Sequence, residues 1–366
     1  MRSDSGFPYL RVYWHSGPYL VNPKNQTHPD PPMKGIILDK ASFDRGDIDL
    51  SPIIRCQPPL AHEHIQWTYY DSTSNELAAG RIGDADIVIT NKVRVDANAI
   101  EQAKQLKLII LAATGTDNVD LNAASAKGIV VSNTRDYSTP AVVQHVFTLI
   151  LNLTTNVIQY QQMVKNQKWQ TSEVFCLLDH PIRELEQKRM GIIGYGSLGR
   201  RVAHIAQAFG MQVNASASMG ASRNRTSGGA SEDIQRLDLD ELLSQSDVIS
   251  IHCPLTDQTR HLISEREFDL MKSSAILINT ARGAIVDSQA LVNALNNGQI
   301  AGAGVDVLDR EPPNADHPLI ANRLDNLIVT PHNAWASFES RQRLVNQMSH
   351  TLQGWLDGQP QNVVTP

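Results

Sequence analysis

The chain has 366 residues, 41% hydrophobic and 19% charged, a globular balance with enough apolar residues for one large or two ordinary domains. A formal net charge of −6 argues against a general affinity for nucleic acid or an acidic membrane surface. Cys56, Cys176 and Cys253 lie far apart without a CxxC pair, which disfavours a disulfide framework and makes the cytoplasm the expected setting; no apolar run nears the roughly 20 residues of a bilayer span.

Residues 1–32 carry six prolines among aromatic and polar residues, without a helical or strand period and without a secretory signal's apolar core. They read as a loose extension, with a transit peptide as the alternative that Arg2, Arg11 and few acids leave open. From Met33 the pattern becomes orderly. Gly35 to Asp39 and Ala85 to Thr90 predict short buried strands, residues 98–107 a helix, and Leu108 to Leu111 another strand. His62-Glu63-His64 is the one tight His/acid cluster. It reads as an exposed polar turn, and since no HExxH or Cys/His spacing supports zinc, no metal is expected. Val142, Val143, Val146, Phe147, Ile150 and Leu151 recur at helical spacing and predict one long helix from about Pro140 to Lys165.

A second alternating series begins near Lys188. Met190 to Ile193 predicts a strand, Leu198 to Phe209 a helix and Met211 to Ala215 the next strand, followed by a Ser/Gly/Arg-rich loop from Ser216 to Glu232. Further strands are expected at Val248–Ile251, Ala275–Ile278 and Leu327–Val329. Alternating strands and helices imply an α/β chain with parallel sheets, in two Rossmann-like doubly wound domains.

Gly194-Tyr195-Gly196-Ser197-Leu198-Gly199 fits GxGxxG between a strand and a helix. The first glycine permits the tight turn, the second lets a pyrophosphate reach the backbone, and the third lets helix and strand pack closely. This context implies a nicotinamide dinucleotide on the helix N-terminus. The acid that would accept the ribose 2′-hydroxyl at the end of the next strand is missing from Val213 to Met219. Ser216 and Ser218, then Arg223 and Arg225, offer hydrogen bonds and charge to a 2′-phosphate, so NADP(H) is slightly favoured over NAD(H).

Three later segments gather polar residues at strand ends: Asn279-Thr280-Ala281-Arg282-Gly283, Gly304 to Pro312, and Thr330-Pro331-His332-Asn333. Loops at the carboxyl ends of parallel strands face the ligand crevice. Reducing a 2-oxo acid needs a cation for the carboxylate and a proton donor for the carbonyl oxygen. Arg282 supplies a planar fork and His332 a proton, while Glu311, if it reaches the imidazole, orients the ring and favours its charged form. Taken singly, Arg282 reads as a surface arginine, His332 as a cap and Glu311 as a solvated acid; their order after a dinucleotide turn is the argument for a site.

With these motifs the chain resembles the D-isomer-specific 2-hydroxyacid dehydrogenase family over roughly residues 33–360. Gly194–Gly199 resembles its cofactor fingerprint, Asn279–Gly283 with Val286-Asp287 its arginine motif, Ala303–Pro312 its Asp-Val…Glu-Pro motif, and Thr330–Ala334 its histidine motif. The resemblance implies a catalytic set of Arg282, Glu311 and His332, and a substrate loop at Ala113–Asp120 whose Thr114 and Gly115 amides bind the carboxylate. Asp306 would contact the nicotinamide carboxamide, Thr280 and Ala281 would lie along the cofactor, and His252-Cys253-Pro254 with Thr259 would flank its adenine side. It further implies a cofactor domain (137–331) inserted into a split substrate domain (33–136 and 332–366), and a homodimer through the cofactor domains. Tyr137-Ser138-Thr139-Pro140…Gln144-His145, Asp179-His180-Pro181-Ile182 and Pro331-His332-Asn333-Ala334-Trp335 resemble the glycerate dehydrogenase (hydroxypyruvate reductase) branch. Trp335 then either lines the substrate pocket or packs beneath it. The expected activity is reduction of hydroxypyruvate or glyoxylate to the D-2-hydroxy acid. The alternative is a dinucleotide-sensing scaffold resembling the family's corepressors. The acid-free strand end at Ala217 and the segment 1–32 depart from the family pattern.

Overall fold

Two parallel sheets organise the chain in a computed structural model that describes residues 32–58, 64–217 and 234–364. The smaller sheet holds β1 (Lys34–Ile37), β2 (Gln66–Tyr69), β3 (Ile87–Thr90), β4 (Leu108–Leu111) and β5 (Val130–Ser132), in the order β2-β1-β3-β4-β5. β3 and β4 are buried at every position, as expected of central parallel strands covered on both faces. Around them run α1 (Ser51–Ile54), α2 (Asn75–Ile82), α3 (Ala97–Gln102) and α4 (Leu121–Ala126). Asp96 and Asp120 start α3 and α4 by accepting the Ala99 and Ala123 N–H groups, which a helix's first turn leaves without partners.

The chain then enters α5 (Thr139–Thr155) and α6 (Val157–Lys165). The single helix expected over 140–165 is therefore two, bent by 61° at Asn156. Asn156 takes a left-handed conformation, φ 53°, and its amide donates to the Pro181 carbonyl at 2.6 Å. Asparagine tolerates that conformation better than most residues, so apolar spacing runs on through a break that the backbone makes.

The larger sheet contains β6 (Arg189–Ile193), β7 (Gln212–Ser216), β8 (Arg236–Leu237), β9 (Val248–Ile251), β10 (Ile276–Asn279), β11 (Gly302–Val305) and β12 (Leu327–Val329). Its order is β12-β11-β10-β9-β6-β7-β8, all parallel. α7 (Ser197–Ala208), α8 (Leu239–Gln245), α9 (Glu265–Leu270), α10 (Ser288–Asn296) and α11 (Pro318–Ala321) connect these strands. α5 lies on this sheet, over β10 and β11. A Cβ on Gly304 would come within 2.9 Å of Leu149 Cβ, so α5 approaches β11 at a distance only glycine allows.

The last helix, α12 (Phe338–Leu356), returns to the first sheet. Its Leu344, Val345, Met348 and Leu352 are buried with Ile37, Ile89 and Ile110. The chain end follows: Val364 N–H donates to the Val131 carbonyl at 2.8 Å. One doubly wound unit is thus inserted into another. Strand order reverses at β6/β9 in the larger sheet and at β1/β3 in the smaller, and ligands of such sheets bind outside the carboxyl ends of the strands at those points.

Candidate active site

At the larger sheet's reversal, β6 ends in the glycine turn. Gly194 has φ +94°, and a Cβ there would sit 2.4 Å from the Cys253 backbone nitrogen, so the turn presses on the loop after β9. A Cβ on Gly199 would lie 2.3 Å from the Gly194 carbonyl oxygen, which fixes how closely α7 follows the turn. Gly196 differs, because a Cβ there meets nothing within 4 Å and its backbone faces open space. Gly196 also caps α7 without a side-chain hydrogen bond, leaving the helix N-terminus to a ligand. Two buried polar atoms without partners, His252 Nδ1 and Thr280 Oγ1, belong to residues of the same crevice. Open backbone, helix terminus and orphaned polar atoms fit a dinucleotide.

The flanking residues divide. His252 is partly exposed at the crevice wall and its Nε2 lies 2.9 Å from Ser250 Oγ; desolvation of the ring lowers its pKa to about 4, so the ring is neutral. Burial likewise raises the Cys253 thiol to about 11. Ser197, Leu198, Pro254 and Ala281 line the crevice, whereas the Thr259 hydroxyl is engaged within its own turn, donating to the Pro254 carbonyl and accepting from Thr256 N–H, each at 2.7 Å. At the end of β7, Ser216 is buried and its carbonyl accepts from Arg236 at 3.2 Å. Ser218 and Arg223 lie outside the described residues, as does Arg225. Two cations that the sequence reading passed over stand here instead: Arg200 and Arg236 lie over the Tyr195 ring, 4.9 and 4.6 Å from its centre.

Across the crevice, Arg282 follows β10 and meets the loop after β4. A Cβ on Gly115 would lie 2.4 Å from Arg282 Nη2, so the guanidinium rests directly against this glycine and would have to shift for a larger residue. Arg282 Nη1 donates to the Ala281 carbonyl at 2.8 Å, and Asp117 approaches Arg282 Nε at 3.8 Å. The loop is fixed from below by Asn133, whose amide donates to the Thr114 carbonyl at 2.7 Å. The Thr114 and Gly115 N–H groups make no hydrogen bond among the described residues.

His332 completes this side. Its Nδ1 lies 2.5 Å from Glu311 Oε2, and Glu311 Oε1 accepts from Leu308 N–H at 2.7 Å. Burial raises the Glu311 pKa, but hydrogen bonds from His332 and Leu308 and the charges of His332 and Lys92 outweigh it, so the carboxyl is held below its ordinary range. Asp306 is buried beneath. One oxygen accepts from Thr330 Oγ1 at 2.6 Å and Asn333 N–H at 3.0 Å, the other from Ala334 N–H at 2.9 Å. Asp306 thus holds the His332 loop from beneath. Trp335 donates from Nε1 to the His332 carbonyl at 3.0 Å and meets Tyr137 edge-on at 6.2 Å, and it lines the crevice as well.

Gly115, Asp117, Arg282, Glu311 and His332 surround a cavity of about 210 Å³. It shares Gly115, Arg282 and His332 with the crevice of about 480 Å³ that runs to Ser197, His252 and Thr280. A third cavity, about 530 Å³, is lined by Asn156, His180, Arg183 and Asp247 and contains none of these residues. Among the described residues no His/Cys/Asp/Glu group is arranged to hold a metal ion.

The fold and this crevice define a two-domain, nicotinamide-dependent oxidoreductase. A sequence model of the D-isomer specific 2-hydroxyacid dehydrogenase NAD binding domain matches residues 147–334. The chain is 39% identical over 332 residues to a hydroxypyruvate reductase of Blautia hydrogenotrophica, covering 91% of this chain and 99% of that protein. It is 42% identical to a glycerate dehydrogenase of Methylorubrum extorquens, covering 90% and 98%. The D-lactate dehydrogenase of Aquifex aeolicus, solved with NAD and lactic acid, superposes with a TM-score of 0.74 at 27% identity, over 91% of this chain and 99% of that one. The chain belongs to the D-isomer-specific 2-hydroxyacid dehydrogenase family, and it is an enzyme that reduces 2-oxo acids.

Proposed function

We propose that the chain reduces hydroxypyruvate to D-glycerate, and glyoxylate more slowly, with NADPH preferred over NADH. The observation that carries this reading is the convergence of Arg282, the Glu311–His332 pair and the Thr114–Gly115 loop on one cavity beside the glycine turn. The relatives described as hydroxypyruvate reductase and glycerate dehydrogenase support the substrate. The bound nicotinamide supplies the hydride. Arg282 and the Thr114 and Gly115 amides hold the substrate carboxylate, which aligns the carbonyl for attack and spends binding energy on orientation. Glu311 occupies Nδ1 of His332, so Nε2 is the nitrogen that delivers a proton to the carbonyl oxygen, and the negative carboxylate stabilises the cationic ring before transfer.

For the cofactor, the end of β7 and Ala217 after it carry no acid, and among the described residues Arg236, bonded to the Ser216 carbonyl, and Arg200, which shares the Tyr195 ring with it, are the cations offered to a 2′-phosphate. Residues 33–136 and 332–366 form the substrate domain and 137–331 the cofactor domain. Two such chains associate through exposed apolar side chains that follow α6. The test is the loss of reduced-nicotinamide absorbance with NADPH or NADH against hydroxypyruvate, glyoxylate and pyruvate. Fastest turnover with hydroxypyruvate and NADPH is expected. Tight dinucleotide binding with no turnover of any of the three acids would refute the substrate assignment, and faster turnover with NADH the cofactor preference.

A further inference from the structure

One cation in the substrate cavity has no part in the chemistry above. Lys92 follows β3 at the smaller sheet's reversal, and its side chain lines the same cavity of about 210 Å³ as Arg282, Glu311 and His332. Its position is built. The buried carboxylate of Asp39, at the end of β1, accepts the Asn91 and Lys92 N–H groups at 2.9 and 2.7 Å. The Asn118 amide donates to the Val93 carbonyl at 2.9 Å, tying this loop to the one after β4. The backbone is therefore fixed on both sides, and the side chain extends from it into the cleft.

The ammonium itself makes no hydrogen bond or ion pair among the described residues. It is exposed because the cleft is open, yet the cleft walls withdraw enough water to lower its pKa, and the Arg282 guanidinium lowers it further, against the opposing pull of Glu311, Asp117 and Asp39. Glu311 and Asp117 offset part of the repulsion between the two cations, and neither makes a hydrogen bond to the Lys92 ammonium, which is left to a ligand. The substrate carboxylate answers Arg282. A second oxygen on the ligand would answer Lys92.

We propose that Lys92 is the specificity-determining residue that receives a hydroxyl on C3 of the substrate, so that the site selects 3-hydroxy-2-oxo acids over their unsubstituted counterparts. This rests on the reductase reading and names its substrate class. The C2 carbonyl must face His332 and the carboxylate must face Arg282 and Gly115. The remaining substituent is then directed to the part of the cavity wall that Lys92 supplies. A charged donor in a shielded site discriminates by leaving itself unpaired when the hydroxyl is missing.

The experiment compares kcat/KM for hydroxypyruvate, pyruvate and oxaloacetate in the unmodified protein, Lys92→Met and Lys92→Arg. Methionine keeps the length and apolar stem while removing the donor, and arginine keeps the charge. Lys92→Met should lose about 10- to 100-fold on hydroxypyruvate, the range for a hydrogen bond to a charged group, with pyruvate changed less than about 3-fold. Lys92→Arg should recover part of the loss. An equal fall on both substrates would make Lys92 a general attractor of carboxylates and overturn the proposal, as would an unchanged ratio. Faster reduction of oxaloacetate than of hydroxypyruvate by the unmodified protein would overturn it in favour of a second carboxylate. Absence of turnover with all three acids in the unmodified protein is a different result, because it removes the reductase reading and this inference with it.

Discussion

His332 has φ +51°, a conformation that costs a residue with a side chain and persists only where its surroundings impose it. Here they do. The His332 N–H donates to the Asp306 carbonyl at 2.8 Å, and the Asp306 carboxylate takes the next two N–H groups. His145 Nε2 lies 2.9 Å from the Thr330 hydroxyl that donates to the same carboxylate. The ring is thus positioned by the loop that Asp306 holds and by Glu311 at Nδ1. Replacing His332 with Ala should lower kcat about 10²- to 10⁴-fold, the span for a general acid, while a fluorescence titration finds dinucleotide affinity nearly unchanged. Undiminished turnover would remove His332 from the reaction. His252 makes a different kind of prediction. Its pKa is about 4 in the folded chain against an ordinary 6.5, so between those values the unfolded chain binds more protons and stability falls as pH falls. The integrated loss at pH 5 is about 2 kcal/mol. Urea unfolding without dinucleotide should show the unmodified protein losing about that much more between pH 7 and pH 5 than His252→Gln does. Equal losses would show that the ring is not held neutral by burial.

The turn between β6 and α7 separates two roles that the same residue type plays. A methyl group on Gly199 has no room beside the Gly194 carbonyl, so Gly199→Ala must displace α7 and should cost about 1–3 kcal/mol as well as dinucleotide affinity. Gly196 has open space, so Gly196→Ala should unfold within about 0.5 kcal/mol of the unmodified chain yet bind dinucleotide more weakly. Thermal unfolding and dinucleotide titration of both variants check the contrast, and equal destabilisation would contradict it. The same packing explains what could be read from the sequence. β3, β4, β6, β9 and β10 are dominated by apolar residues, with one polar residue at most in each, and are visible as strands for that reason. β11 is hidden because Gly302 and Gly304 make way for Leu153 and Leu149 of α5, and β8 is only two residues long. Arg282, Glu311 and His332 were legible because each sits in a local motif after a strand. Lys92, Arg200, Arg236 and the scaffold role of Asp306 were not, because their meaning depends on partners such as the His145–Thr330 contact, 185 residues apart in sequence.

At the scale of the molecule, the substrate cavity belongs to both sheets: Lys92 and Gly115 come from loops of the smaller one, Arg282 and His332 from the larger. Its geometry therefore depends on how well the larger sheet is held as a platform. α6 and residues 166–188 behind it contribute nothing to the lining of that cavity and carry an unusual surface. Phe175 is 90% exposed and Leu178 80%, with Trp169, Val174 and Ile182 more than half exposed nearby in sequence. Apolar side chains concentrated in one segment are costly in water and mark a surface that another chain covers. α5, which leads into this segment, packs on β10 and β11, so a partner seated there would brace the larger sheet directly. A second copy of the chain is the expected partner, and sedimentation equilibrium should give twice the 40.4 kDa of one chain. Phe175→Glu combined with Leu178→Glu adds buried charge to that contact without touching either hydrophobic core, and should shift the protein to monomers. Because neither substituted residue lines the substrate cavity or the cofactor crevice, any fall in kcat of the monomer would measure how far the platform depends on its partner. A chain that sediments as a monomer before substitution would leave the exposed segment without the occupant assigned to it.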